Sequence, residues 1–236
     1  MKNIHLNSVD STNSYLKHNY KSFQNYTFLS TNSQTNGRGR MDRLWESEDS
    51  SNLLFSLLIL DEKIINHYKE ISIVSAYTIL EVLQDIGIKD VSIKWPNDVY
   101  VKDKKICGIL LESVSKERIE CLIVGVGLNV NQSQFNGDYL QTPTSIILEK
   151  GQEENIEVLK KRIYKKLIEN IENIGKKDFY NFIKNYDYLK DKKVYASINN
   201  EKKEVTVIGI DKDYSLSIKN KSEVIKLNSD EISFHV

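Results

Sequence analysis

Apolar positions along the chain follow two periods, and the switches between them mark out the elements. A nearly continuous apolar run at 52–60 predicts a buried strand. Ile71, Val74, Thr78, Val82 and Ile86 then recur at helical spacing until Gly87, which predicts a helix over 68–86. Short β-prone stretches at 92–95, 99–102, 105–112 and 118–126 follow. The middle pair is joined by Asp103 and Lys104 at hairpin spacing, so this block reads as an antiparallel meander. Ile156, Leu159, Ile163, Leu167, Ile171 and Ile174 predict another helix, and Phe179, Phe182 and Tyr186 continue helical spacing after Gly175. From Lys193 the pattern changes to five brief strands, the last at 231–236, separated by Asn- and Asp-rich turns. That arrangement predicts a small barrel.

The first forty residues are more polar. A strand at 3–6 precedes Asp10, Ser11, Thr12 and Asn13, whose side-chain oxygens can cap a helix carrying Tyr15, Leu16 and Tyr20. A strand at 27–30 runs into the Asn-, Ser-, Thr- and Gly-rich segment 31–40, which lacks apolar periodicity and reads as loop. Strands and helices together predict a mixed α/β main domain over 1–188, with a small β-domain over 189–236.

Composition narrows the function classes. With 40% hydrophobic residues and two prolines, the 236-residue chain can bury a core large enough to offset the entropy of folding. Lys plus Arg and Asp plus Glu cancel at 33 each, so any basic site is local and no global field draws the protein to DNA or an anionic membrane. The longest apolar run falls far short of the ~20 residues that cross a bilayer, and the opening MKNIHLNSVD lacks the apolar stretch of a secretory signal. Cys107 and Cys121 form no CxxC, and the four histidines are scattered, so neither a disulfide framework nor a metal site is expected. The expectation is a cytoplasmic protein.

Three segments carry chemistry. Gln34-Thr35-Asn36-Gly37-Arg38-Gly39-Arg40, followed by Arg43 and Trp45, packs guanidinium forks and glycines into one loop, a design suited to phosphate or carboxylate with an aromatic at hand to stack on a base. Composition alone leaves a basic surface loop equally open. Lys94-Trp95-Pro96-Asn97-Asp98 places a proline, a lysine, an amide and a carboxylate in one connection, and Lys105 opens the next strand ahead of Gly108. Taken alone, Lys105 also fits a solvated turn lysine. Val124-Gly125-Val126-Gly127-Leu128-Asn129 fails the dinucleotide-binding fingerprint, because Val130 stands where a third glycine is required. Gly127 then reads as a turn or a close backbone approach, and Asn129 as a ligand contact or a local cap.

Read in order after DSTNSYL, the segments GRGRMDRLW, KWPNDVYVKDKKICGILLE and VGVGLNVN closely resemble the signatures of biotin protein ligases. The resemblance covers most of residues 9–131. It implies an α+β catalytic domain of class II aminoacyl-tRNA-synthetase-like type, with a mixed, largely antiparallel sheet flanked by helices and a C-terminal SH3-like β-barrel. It also implies a two-step reaction, in which ATP converts biotin to biotinyl-5'-AMP and biotin then passes to a lysine of a biotin carboxyl carrier protein, the usual one belonging to acetyl-CoA carboxylase. The implied biotin pocket comprises Ser11, Thr12, Asn13, Gln34, Arg38, Gly39, Arg40, Lys105 and Gly108. The implied nucleotide contacts are Arg40, Arg43, Trp45, Asn97, Asp98 and Asn129, with Mg2+ arriving on ATP, and Lys105, Arg38 and Asp98 are the implied catalytic groups.

Many biotin ligases read GRGRRGR where this chain has Met41 and Asp42 before Arg43. A stiffer, less positive loop that retains the adenylate more weakly is expected. The ligase segments begin near residue 9, leaving no room in this chain for the helix-turn-helix that some relatives use to repress biotin genes, so DNA binding is not expected. The resemblance also raises a homodimer built through a sheet edge, with the strand after Lys105 as one option. Two alternatives stand beside the biotin reading: a lipoate or octanoate protein ligase of the same superfamily, and a non-catalytic nucleotide- or nucleic-acid-binding module.

Overall fold

The structure, a computed structural model, describes residues 2–40, 43–137, 139, 141–198 and 201–228. Met41 and Asp42, and the expected fifth strand at 231–236, lie outside the described residues. Strands β1 (Asn3–Val9), β2 (Phe28–Gln34), β3 (Asn52–Ile59), β4 (Val91–Lys94), β5 (Asp98–Val101), β6 (Lys104–Ser115) and β7 (Ile119–Asn129) form one sheet in the order β1-β2-β3-β7-β6-β5-β4. Only β1 and β2 run parallel; the other pairs are antiparallel. The helices are α1 (Thr12–Asn19), α2 (Glu62–Ile65), α3 (Tyr68–Asp85), α4 (Ile146–Lys150), α5 (Ile156–Glu172) and α6 (Tyr180–Ile183).

Strand alternation assigns each face of the sheet a task. On β3, Leu53, Phe55, Leu57 and Ile59 join the large core that contains the buried residues of α3 and α5, while Leu58 packs with Leu16 of α1 and Ser56 bonds to Thr12 and Asn13. On β7 the same division puts Leu122, Val124, Val126 and Leu128 in the large core, and Cys121 and Ile123 beneath α1. Further along the α1 face come Gly125, Gly127 and Asn129. The alternation in VGVGLN is therefore strand, with apolar residues facing the helices and small or polar residues facing a cavity. Gly127 is not at a turn: β7 continues through Asn129, and the close approach is to a side chain.

Several sequence expectations are corrected. Residues 31–34 are not loop but the end of β2, because Thr31, Ser33 and Gln34 pair with Leu6, Ser8 and Val9 of β1. A polar edge pairing of this kind leaves no apolar alternation to read. The spacing of Phe179, Phe182 and Tyr186 yields only one α-turn followed by a 3-10 turn at Lys184–Tyr186. Of β6, residues 104–108 pair with β5, whereas residues 110–115 pair with β7 alone, so the outer part of the strand after Lys105 keeps an edge on the side away from β7. The end of α3 is as expected: Gly87 adopts φ +92°, which a residue with a side chain rarely tolerates.

The C-terminal residues form a second antiparallel sheet, β8 (Lys193–Ile198), β9 (Glu201–Ile210), β10 (Leu216–Asn220) and β11 (Glu223–Leu227), in the order β11-β10-β9-β8. Among the described residues it is open rather than a closed barrel. Val194, Val207, Leu216 and Ile218 are buried in the same core as the main sheet's helix face. The Trp95 indole donates to the Tyr214 carbonyl in the β9–β10 connection at 2.9 Å, joining the two sheets. No described helix is long and apolar enough to cross a membrane.

Candidate active site

A cavity of about 440 Å³ opens on the α1 face of the main sheet. Its lining includes every residue singled out from the sequence: Ser11, Thr12, Asn13, Gln34, Arg38, Gly39, Arg40, Arg43, Trp45, Asn97, Asp98, Lys105, Gly108 and Asn129.

One end is built from neutral hydrogen-bonding groups at the start of α1. Ser11 caps the helix by accepting from the Ser14 N–H, and Gln34 Oε1 accepts from the Thr12 N–H at 2.8 Å and from its hydroxyl at 3.1 Å. The Ser56 hydroxyl lies 2.7 Å from Thr12 Oγ1 and 2.6 Å from Asn13 Oδ1. Gly125 makes this possible, since a Cβ there would overlap the Asn13 amide. Asn13 Nδ2 donates to the Leu110 carbonyl at 3.2 Å and to Glu112 Oε2 at 2.9 Å.

The other end is cationic and is organised by the β4–β5 and β5–β6 connections. The peptide before Pro96 is cis. Asn97 is held by its own strand neighbour, donating to the Ile109 carbonyl at 2.6 Å and accepting from Arg40 Nη1 at 3.3 Å. Lys105 Nζ lies 2.8 Å from Asp98 Oδ1 and 5.5 Å from the Trp45 ring centre. A register shift explains how Lys105 reaches the cavity. Val99 faces Cys107 whereas Tyr100 faces Lys105, so Ile106 is an extra residue in β6. Both Ile106 and Cys107 point into the large core, and Lys105 emerges on the same face as Gly108, three positions on. Its backbone is pinned on both sides, donating to the Thr142 carbonyl and accepting from the Thr144 N–H, each at 2.8 Å.

The Arg loop folds back as a narrow hairpin: Gly39 N donates to Arg43 O at 2.7 Å and Trp45 N to Gly37 O at 3.0 Å. This lays the Trp45 indole on the sheet. A Cβ on Gly127 would overlap that ring, and one on its cross-strand partner Gly108 would come within 2.9 Å of it. Trp45 Nε1 is buried there without a hydrogen-bond partner. Asn129 donates its amide to the Thr144 carbonyl at 2.9 Å and so ties β7 to the segment that pins Lys105.

A family model described as "Biotin/lipoate A/B protein ligase family" matches residues 6–129, which is more than half of the chain. The chain belongs to this family. Among curated relatives, "Bifunctional ligase/repressor BirA" of Bacillus subtilis is 33% identical over 107 residues, covering 45% of this chain and 33% of the relative. The matched part thus spans about a third of that relative's length. Among solved structures, "Biotin protein ligase from Aquifex aeolicus in complex with biotin and ATP" superposes with a TM-score of 0.87 at 28% identity, covering 99% of this chain and 98% of that one. A Leishmania major biotin protein ligase bound to biotinyl-5-AMP shares the fold, with a TM-score of 0.64 at 19% identity.

Two further polar residues shape this ligase-family site although sequence reasoning gives neither of them a role. Lys94 lines the cavity although it is only 5% exposed. Burial pulls its amine down to about 8, a fall opposed by Asp98 and reinforced by Lys105, Lys192 and Arg43. Its Nζ lies 3.4 Å from the Tyr100 hydroxyl, which in turn donates to Gln141. The missed signal was alternation: Lys94 and Asp98 are register partners across β4 and β5, so their side chains share the cavity face. The second residue is Glu112, on the cavity face of β6 beyond Leu110. It accepts from Arg38 Nη2 at 3.0 and 3.3 Å, from Asn13, and from Lys17 at 3.3 Å.

Proposed function

We propose that this chain is a biotin protein ligase, which joins biotin to ATP as biotinyl-5'-AMP with release of pyrophosphate and then transfers biotin to a lysine of a biotin carboxyl carrier protein. The observation that carries this reading is the polarity of one cavity: neutral donors and acceptors at the Thr12–Gln34 end, and at the other Lys94, Lys105, Arg40 and Arg43 outnumbering the lining carboxylates Asp98 and Glu46. A neutral ureido ring suits the first end, and a carboxylate beside a triphosphate suits the second. The biotin- and ATP-bound Aquifex relative supports the assignment.

In the first step the biotin carboxylate attacks the α-phosphorus and pyrophosphate leaves. Negative charge grows on the phosphoryl oxygens, and Lys105, pre-oriented by Asp98, is the principal stabilising cation. Trp45 on its glycine floor is the platform for the adenine, with its Nε1 still available to donate. Mg2+ enters as part of the MgATP substrate. In the second step the carrier amine attacks the acyl carbonyl and AMP leaves, with Asp98 as the candidate acceptor of the amine's proton. We assign the ligase unit to 1–188 and the accessory β-unit to 189–236.

The test is ATP–pyrophosphate exchange with purified protein, MgATP and one acid at a time. Exchange with biotin, and none with lipoate or octanoate, is expected. Exchange with lipoate or octanoate instead would move the chain to the other branch of its family, and exchange with none of the three would overturn the enzymatic reading.

A further inference from the structure

The sequence assigns Arg38 to the ligand and to catalysis, yet one nitrogen of its guanidinium is already engaged, while its Nε is buried without a hydrogen-bond partner. Its Nη2 donates to both oxygens of Glu112 and to the Ser14 hydroxyl at 3.0 Å. The Glu112 side chain is only 15% exposed, does not line the cavity, and also holds the Asn13 amide and the Lys17 ammonium. One carboxylate therefore fixes two cavity-lining residues from behind, one from the Arg loop and one from the first turn of α1. Without it each loses its charged acceptor, leaving Arg38 the Ser14 hydroxyl and Asn13 the Leu110 carbonyl, so both are held less firmly.

The charge balance adds a second consequence. Glu112 neutralises Arg38 at the end where Thr12, Gln34 and Asn13 present neutral groups, whereas the Lys94–Lys105 end keeps an excess of positive charge. The cavity is thereby graded along its length, and an acid entering it places its carboxylate at the Lys105 end.

We propose that Glu112 is a positioning residue for the acid substrate: acting through Arg38 and Asn13, it keeps the α1 end of the cavity neutral and shaped for the uncharged end of the ligand. This rests on the biotin-adenylating reading. It predicts that loss of the carboxylate impairs capture of the acid and leaves the nucleotide step intact, because Glu112 touches none of the residues at the Lys105 end.

The experiment is steady-state exchange by the full chain, with Glu112→Gln, Arg38→Ala and the double variant beside the unaltered protein, varying biotin and MgATP separately. For Glu112→Gln the KM for biotin should rise about 10- to 100-fold, the range expected when a charge-assisted contact is lost. The KM for ATP and kcat should stay within about threefold of the starting values. In the Arg38→Ala background the same Glu112 change should add little, since the two act as one unit. An unchanged KM for biotin, an equal rise in the KM for ATP, or full additivity with Arg38→Ala would each overturn the proposal. Should Glu112→Gln fail to fold, Glu112→Asp keeps the charge but retracts it by one methylene; a smaller rise in the KM for biotin is then expected, and no rise would overturn the proposal. Absence of biotin-dependent exchange in the unaltered protein would overturn the ligase reading together with this one, whereas exchange with an unaffected variant would overturn this one alone.

Discussion

A lysine whose charge is needed and a lysine whose charge is costly sit on the same wall of the cavity. Lys105 has Asp98 at 2.8 Å and remains partly open to solvent. Lys105→Ala is expected to lower biotin-dependent exchange about 100- to 1,000-fold, while thermal denaturation shifts by no more than about 4 °C, because a partly exposed pair adds little stability. Lys94 is the costly one. Its folded pKa of about 8 lies below the ordinary 10.5, so between those values the unfolded chain binds more protons and stability rises with pH. An anion bound beside Lys94 favours the ammonium form and raises that pKa. Binding of ATP near pH 8 should therefore take up a fraction of a proton, read by calorimetry in buffers of differing ionisation enthalpy, and Lys94→Met should abolish the uptake. The residues of the Arg loop and of the segment around Asp98 were legible in the sequence because charged forks, amides and glycines in a short span have few structural uses. The roles of Lys94 and Glu112 were not, since each is recognisable only from what lies across a strand or behind an arginine.

At the scale of elements, β6 and β7 decide where chemistry can occur. The run VGVGLN looks like a failed nucleotide fingerprint in sequence and is a strand whose cavity face has been pared down to glycine. Gly127→Ala should push the indole off the sheet and raise the KM for ATP roughly 10-fold or more, the scale of a base-stacking contact, with the sheet intact by circular dichroism. An unchanged KM for ATP would show that Trp45 does not carry the base. The long helices and the meander were legible because each buries a regular stripe, as the stretch from Ile71 to Val82 does in α3. The parallel β1–β2 pair was not, for its register is set by polar residues at the sheet's rim. Nor was the bulge at Ile106: it is two adjacent core-facing residues, and any alternating template assigns one of them to the wrong side.

Across the whole molecule, the smaller sheet is tied to the segment that carries Asp98. Tyr188 N donates to the Ile93 carbonyl at 2.9 Å, Tyr188 stacks on Tyr100 with ring centres 4.8 Å apart, and Trp95 reaches the Tyr214 carbonyl. Asp187 stands at the crossing, accepting from the N–H groups of Leu189 and Ile210, each at 3.0 Å. Burial raises its carboxyl above the ordinary value, so its contribution is fully present below pH 3.8 and falls as pH rises through the folded value. The two backbone bonds persist at neutral pH. Asp187→Ala should leave both donors unpaired, cost about 2 kcal/mol and lower the melting temperature by about 4–8 °C, with faster hydrogen exchange in β9 than in β3. The chain contains two tryptophans, both lining the cavity, and their indole N–H groups differ: that of Trp95 is bonded to the Tyr214 carbonyl, whereas that of Trp45 is buried without a partner. Ultraviolet emission from the unlabelled protein therefore mixes two indoles at one cavity, and a Trp95→Phe variant would report ligand arrival in real time from Trp45 alone.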